Sequence, residues 1–356
     1  MADLRSPFRL KSEKGKRFSS GYGMAVTSTR LMLMLLAGSA IVSLALSGIA
    51  DAALVKMHAR PGSGKRVQVT DKTVTDNHLK IGVERSSGDI VVNSREPLRA
   101  TGRCDVVDEA RTEVHCPRFP GAEYREDVIL RLGLGDDQVH SDIGGLMYLG
   151  PGDDRLELGR YTFPEESEFH SSYIVGGQGN DRIDARGSGP HGNENVVPGP
   201  GDDKFLLGEN NDTFQSDQDA DGSDVVRAGP GFDVYAATDS DRSLSIDVPS
   251  GTASRDTEVD EISDFEWFVG GHGGDSFLGS PADEIFWGQE GPDSIDAGRG
   301  VDELQGGSGD DFLDAADNPG VFEPPREDVD CDEGQDEAIV DAFEFTSDCE
   351  EVSTSA

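Results

Sequence analysis

GGHGGDSFL (270–278), GSPADEIFW (279–287), GQEGPDSID (288–296), AGRGVDELQ (297–305) and GGSGDDFLD (306–314) follow one another as five nine-residue units without a break. The sixth position is acidic in every unit: Asp275, Glu284, Asp293, Asp302 and Asp311. The eighth is apolar: Phe277, Phe286, Ile295, Leu304 and Leu313. The fourth is glycine except at Ala282. A flexible acidic linker has no reason to keep an apolar residue two places after each acid, so the period reports a fold. A glycine-rich turn of about six residues followed by a strand of about three is a unit that coils into a parallel β-roll. The fold class read from it is all-β: a parallel β-roll or β-helix with a small β-rich N-terminal cap and a disulfide-braced C-terminal cap.

Two units complete one coil, so acids 18 residues apart stack on one edge: Asp275, Asp293 and Asp311 in one column, Glu284 and Asp302 in the other, with Asp311 ending the array. Adjacent coils lie about 4.8 Å apart, and like charges at that distance repel by roughly 3 kcal/mol at an effective dielectric of 20. A divalent cation between coils reverses the sign. Carboxylates and turn carbonyls are the hard oxygen donors calcium prefers, about six to eight per ion. Several Ca2+ ions are therefore expected, with glycine supplying positive φ in the turns.

The pattern recurs upstream in broken form. GGQGNDRID (176–184) is a full match and places Asp181; GPHGNENVV, PGPGDDKFL and LGENNDTFQ (189–215) place Glu194, Asp203 and Asp212. DADGSDVVR and AGPGFDVYA (219–236) add Asp224 and Asp233, while the isolated LGLGDDQVH (132–140) and LGPGDDRLE (149–157) add Asp137 and Asp154. Residues 141–148, 158–175, 185–188, 216–218 and 237–269 interrupt the pattern and are expected to be loops or irregular coils. Asp217, Asp219, Asp221 and Gly222 imitate the start of an EF-hand loop, but the position of its bidentate glutamate holds Ala228.

A formal charge of -39, from 70 acids against 31 bases, excludes ordinary nucleic-acid binding and opposes docking on anionic membranes. Basic residues from Arg5 to Arg30 precede an uncharged run from Leu31 to Ala50, and Ala50-Asp51-Ala52 forms an A-x-A cleavage site. Residues 1–52 thus read as an export signal, with Met24 as an alternative start. The competing reading is an uncleaved anchor at 31–50, since about 20 apolar residues span a bilayer. Both readings put the rest of the chain outside the cytoplasm, secreted in the first case. Four cysteines suit an oxidising compartment. Of three connectivities, local pairing of Cys104 with Cys116 and Cys331 with Cys349 is favoured; the spacings do not suit zinc.

Short alternating runs from Arg66 to Arg131 argue for strands. The domain reading is a β-rich N-terminal cap at 53–131, irregular calcium-binding repeats at 132–236, a connecting segment at 237–269, the regular roll at 270–314 and a C-terminal cap at 315–356, where the repeat stops. The nonapeptides resemble the hemolysin-type calcium-binding (RTX) repeat. The wider arrangement is similar to a group of Sec-exported repeat proteins of high-GC soil bacteria: RLGLGDDQV resembles that group's junction before the repeats, SLSIDVPSGTASRDTEVDEISDFEWFVGGHGGDSFLGS its internal link and DCDEGQDEAIVDAFEFTSDCE its terminal segment. The resemblance covers residues 30–352. It implies calcium on Asp275, Asp293, Asp302 and Asp311 and suggests no activity. The chain departs from the repeat toxins in carrying an N-terminal signal, and Glu284 with Ala282 breaks the consensus of the second column.

No HExxH, GxSxG or phosphate-loop motif is present. Two classes of function follow. The first is an extracellular calcium-binding module that folds after export, with a structural, adhesive or matrix role and an unidentified cell-surface or matrix partner. The second is a secreted polysaccharide-active enzyme on a parallel β-helix, for which acids of 158–175 or 237–269 would meet aromatic platforms such as Phe163, Phe169 and Tyr173 or Phe265, Trp267 and Phe268.

Overall fold

The position-eight residues organise the molecule. In the computed structural model, Ser276–Leu278, Ser294–Asp296 and Phe312–Asp314 stack in parallel in one sheet, called here sheet two. Trp267–Val269, Ile285–Glu290 and Glu303–Ser308 stack in the facing sheet one. Each step between these rungs is 18 residues, as in Ile285↔Glu303 and Ser276↔Ser294. Side chains alternate along a strand, so the central residue of each short strand turns inward. Phe277, Ile295 and Leu313 meet Phe268, Phe286 and Leu304 in a core one side chain deep from each sheet, all 1 % exposed or less. Phe286 stacks on Phe268, centroids 5.5 Å apart, and tilts against Phe277 at 5.7 Å. Full burial of such a side chain contributes about 1.5–3 kcal/mol.

The structure describes residues 53–60, 63–71, 76–84, 87, 89–117, 128–160, 170–189, 192–216, 222–238, 240–316, 327–341 and 345–354, among which there is no helix. The export-signal reading of 1–52, the EF-hand-like acids Asp217, Asp219 and Asp221, and the aromatics Phe163 and Phe169 lie outside the described residues.

The coil runs well beyond the regular units. Val128–Arg131, Gly145–Pro151, His170–Gln178, Gly192–Val197, Thr213–Gln215 and Val234–Ala236 continue sheet one in parallel. Gln138–Ser141, Arg155–Leu158, Arg182–Asp184, Lys204–Leu206 and Val225–Arg227 continue sheet two. Of the stretches expected to be loops or irregular coils, the described parts of 141–148, 158–175 and 237–269 carry strands of the two sheets, which corrects the loop reading there. Gly145–Pro151 and His170–Gln178 are rungs of sheet one whose inward residues, Met147 and Ile174 among them, do not follow the nonapeptide spacing. Within 237–269, Ser245–Asp247, Thr252–Arg255 and Glu258–Ser263 form an antiparallel meander inserted in sheet two between Val225–Arg227 and Ser276–Leu278.

At the N-terminal end the hairpin of Leu54–Arg60 and Ser63–Thr70 closes sheet one. His78–Val83, Ile90–Ser94 and Glu113–Cys116 close sheet two. This covers an edge that would otherwise invite pairing. Cys104 and Cys116 are bridged here, Cα atoms 4.2 Å apart, and Cys331 and Cys349 at the other end, 5.1 Å apart. After Asp314 the repeat does not stop: Asp328–Glu333 and Glu337–Val340 add parallel rungs, followed by Phe345–Ser347 and Glu351–Thr354.

Candidate metal centre

Each turn delivers its acid to the same height on the coil. In the column leading into sheet two, the backbone N–H of one acid donates to Oδ1 of the acid on the next coil: Asp137 to Asp154 (2.7 Å), Asp154 to Asp181 (2.8 Å), Asp181 to Asp203 (2.6 Å), Asp203 to Asp224 (2.8 Å) and Asp224 to Asp260 (3.0 Å). The N–H of Asn77 begins the ladder on Asp137 at 2.6 Å. The meander interrupts it. It restarts with the N–H of Leu244 on Asp275 (2.7 Å) and continues from Asp275 to Asp293 (2.6 Å), Asp293 to Asp311 (2.8 Å) and Asp311 to Asp336 (2.8 Å). The second column, leading into sheet one, links Glu194 to Asp212 (2.8 Å), Asp212 to Asp233 (2.7 Å) and Asp233 to Glu266 (2.8 Å), and separately Glu284 to Asp302 (2.8 Å).

One oxygen of each acid that accepts a ladder N–H is thus committed to holding coils together. The other is stranded: Oδ2 of Asp137, Asp154, Asp181, Asp233, Asp293, Asp311 and Asp336 is buried without a hydrogen-bond partner. Burial pushes these carboxyls up, Asp137 and Asp311 to about 6, Asp154 and Asp233 to about 7, Asp181 and Asp293 to about 8, and neighbouring carboxylates add to the rise. Glu194 and Asp212 are raised by burial too, with Asp212 opposing ionisation of Glu194. An uncompensated buried carboxylate is costly. A row of bare oxygens at coil spacing is a donor set for a hard cation.

Glycine at the first position of the unit shows where such a cation fits. A Cβ placed on Gly288 would collide with Oδ2 of Asp293 and the carbonyl oxygen of Gly306. The same convergence occurs at Gly270 (Asp275 and Gly288 carbonyl), Gly306 (Asp311 and Cys331 carbonyl) and Gly176 (Asp181 and Pro198 carbonyl). Each is a cradle of carboxylate and carbonyl oxygen around a space that only a missing side chain leaves open. At the first position of other units the chain carries Leu132, Leu149, Leu207, Ala228 and Ala297, all within the hydrophobic core. Calcium in the open cradles would be held by Asp181, Asp293 and Asp311 with those carbonyls, and its charge would offset their mutual repulsion.

The expected ligands therefore divide. Asp275 is fully engaged: its Oδ1 accepts from Leu244, and its Oδ2 from the N–H of Gly271 at 2.7 Å. Glu284 is one methylene longer and folds back, accepting from the N–H of Ser280 at 3.0 Å and, on its other oxygen, from the Ser280 hydroxyl. Asp311 does not end the array, because Asp336 and then Glu350 continue it; Glu350 accepts from the N–H of Asp336 at 2.9 Å.

Asp336, Asp260 and Glu266 are ladder members that the spacing did not reveal. Asp336 lies in CDEGQDEAI (331–339), which keeps glycine at position four, acid at six and apolar Ala338 at eight but begins with a cysteine. Glu266 sits two residues before buried Phe268, and Asp264, φ 64°, stands where the turn glycine would be. Asp260 is marked only by Ile262 two places on; its Oδ2 accepts from the Tyr235 hydroxyl at 2.8 Å. Beside it Arg255, 5 % exposed, donates to Ser216 Oγ at 2.7 Å. Its charge also counters the burial that raises Asp275. At the break in the ladder the chain supplies its own cation.

Of the aromatic residues of 237–269, Phe265 and Phe268 are largely buried in the core, and Trp267 packs edge-on against Trp287 with centroids 4.4 Å apart. Phe265 and Phe268 also line, with Glu261 and Asp264, a cleft of about 350 Å³ beside the meander.

No curated protein matches the chain. The family model for the RTX calcium-binding nonapeptide repeat (4 copies) matches residues 171–188 and 278–313, the stretches that hold the open cradles at Gly176, Gly288 and Gly306.

Proposed function

We propose that this is an exported, non-enzymatic calcium-binding repeat protein whose coils lock when calcium enters the glycine cradles, and that it serves a structural or adhesive role at the cell surface or in the matrix. The observation that carries the reading is the ladder in which one carboxylate oxygen is spent on the next coil and the other is left buried beside a turn carbonyl. Before export, at low calcium, the acids repel and the thin core cannot offset the loss of chain entropy. At roughly millimolar extracellular calcium, binding free energy becomes folding free energy. Export is supported by the basic-apolar-AxA pattern of residues 1–52 and by two disulfides, which persist in oxidising compartments.

The test is a calcium titration of the oxidised chain from Ala53 onward, read by far-UV circular dichroism with magnesium and chelator controls. A cooperative gain of β-structure specific to calcium is expected. A signal already β-rich in chelator and indifferent to calcium would overturn the reading.

A further inference from the structure

The outer face of sheet two is cationic at its N-terminal end, against the charge of the whole chain. Its outward residues pair directly across the rungs: His78 with Gln138, Gln138 with Arg155, Arg155 with Arg182 and Arg182 with Lys204. Like charges directly opposite one another in a sheet are destabilising. In a chain with 70 acids, pairing these cations with carboxylates would have been easy. Of Arg155, Arg182 and Lys204, only Arg182 has a carboxylate within 4 Å among the described residues, Asp184 at 3.9 Å.

At the head of this strip lies a cleft of about 380 Å³ between the cap and the first rungs of the roll. Lys80, Arg95 and Arg155 contribute three cations to its lining, all exposed. Asn93, Ser94 and Gln138 add neutral hydrogen-bonding groups. Nδ1 of His78, also in the lining, is buried and has no hydrogen-bond partner. The opposing charge is Glu157, whose carboxylate lies 3.8 Å from Nδ1 of His140; the other ring nitrogen of His140 lies 3.1 Å from Asp142.

We propose that this cleft binds a sugar-sized, polyhydroxylated anion: a carboxylate or phosphate ester held by Arg155, Lys80 and Arg95, with hydroxyls on Asn93, Gln138 and His78. Charge-assisted pairs to arginine supply orientation as well as strength. The neutral donors and acceptors distinguish a sugar from a bare anion, since each would lose its partner if the hydroxyls were absent. The volume suits one sugar unit or two, at the small end of ligand clefts. The site is separate from the acid ladder, whose stranded oxygens face the interior of the turns.

The test is calorimetric titration of the calcium-loaded protein at low salt with galacturonate, glucose 6-phosphate, inorganic phosphate and neutral galactose. Saturable binding of galacturonate or glucose 6-phosphate is expected, the first identifying a carboxylate source and the second a phosphate ester. Arg155→Gln with Lys80→Gln should weaken it about tenfold or more, with the calcium midpoint and circular dichroism unchanged. His78→Ala should weaken the sugar anion and leave inorganic phosphate unaffected. Equal binding to wild type and the double variant, galactose binding as well as galacturonate, or inorganic phosphate binding as well as both sugar anions would each overturn the proposal, as would no saturation with either sugar anion.

Discussion

The turn that begins at Gly288 and the turn that begins at Gly279 are neighbours in one regular run, and they use the same elements differently. At Gly288 the carboxylate of Asp293 stops short, one oxygen holding the N–H of Asp275 and the other stranded beside the Gly306 carbonyl. At Gly279 the Ala297 carbonyl is in the equivalent place, but the carboxylate of Glu284 has folded onto Ser280 and a Cβ would meet the Phe286 ring instead of an oxygen. The first turn needs an external cation; the second has satisfied itself. An extra methylene and alanine in place of glycine at 282 distinguish the second turn from the first, although Asp275 engages the N–H four residues back without either. The contrast belongs to the two turns and not to whole edges, since Glu194, Asp212 and Asp233 of the second column also keep buried oxygens without a hydrogen-bond partner.

The strongest way to break this comparison is Gly288→Ala. Its backbone is not in the left-handed region, so the added methyl acts only by filling the cradle. Overpacking costs about 1–3 kcal/mol, and loss of the adjoining site should raise the calcium midpoint by about tenfold, equivalent to ~1.4 kcal/mol. Calcium titration by tryptophan fluorescence checks it. An unchanged midpoint would mean that the cradle is not where the ion binds.

Next in size is the pair Asp293→Asn and Asp302→Asn. Both amides can keep an oxygen for the ladder N–H, so coil spacing is preserved while one charge is removed. Asp293 lies between the cradles of Gly270 and Gly306, and its loss should shift the calcium midpoint several-fold, about 1 kcal/mol. Asp302 shares its edge with self-satisfied Glu284 and should shift it less than about twofold. Equal shifts would remove the distinction between the two turns.

The sequence makes the roll legible because two signals coincide in 270–314, an acid at position six and an apolar residue at eight, and both are direct consequences of coil geometry. Upstream rungs such as Gly145–Pro151 were hidden because sheet pairing needs only an inward residue every second position, which Leu146-Met147-Tyr148 satisfies without a nonapeptide. Asp336 was hidden by Cys331, a disulfide cysteine occupying the place of glycine. Asp260 carried only the faint mark of Ile262, since its role depends on Asp224 and Tyr235 arriving from other parts of the chain. Nor could the composition of the unit show which acids keep a stranded oxygen. That depends on whether position one carries a side chain and on how long the acid is, details that all fit a loose GGxGxDxUx pattern.

A smaller effect is the response of the stranded carboxylates to pH. Asp293 and Asp181, pushed to about 8 by burial, bind more protons folded than unfolded, where aspartate titrates near 3.9. In chelator, stability should therefore fall as pH rises from about 4 to 8 and be lowest above that window. In calcium the slope should reverse, because the ligands must lose their protons to bind. Thermal unfolding in chelator at several pH values measures this. A calcium-free chain that gained stability with rising pH would show that its carboxylates are already satisfied.

The smallest effect is a gain. Glu284→Asp with Ala282→Gly restores the pattern of the neighbouring unit at the self-satisfied turn. An aspartate seated as Asp293 is would bring its free oxygen toward the Ala297 carbonyl beside Gly279, while the glycine allows the turn its left-handed residue. The added glycine costs about 0.5–1 kcal/mol through backbone entropy, so the variant should be slightly less stable in chelator. In calcium that loss should be recovered, because binding at a new site stabilises the folded state by mass action. Equilibrium dialysis should then find one more ion bound per chain than in wild type. If the variant were weaker in both conditions and bound no additional calcium, the contrast between the two turns would have to rest on Ala297 and the chain beyond it rather than on the length of one acidic side chain.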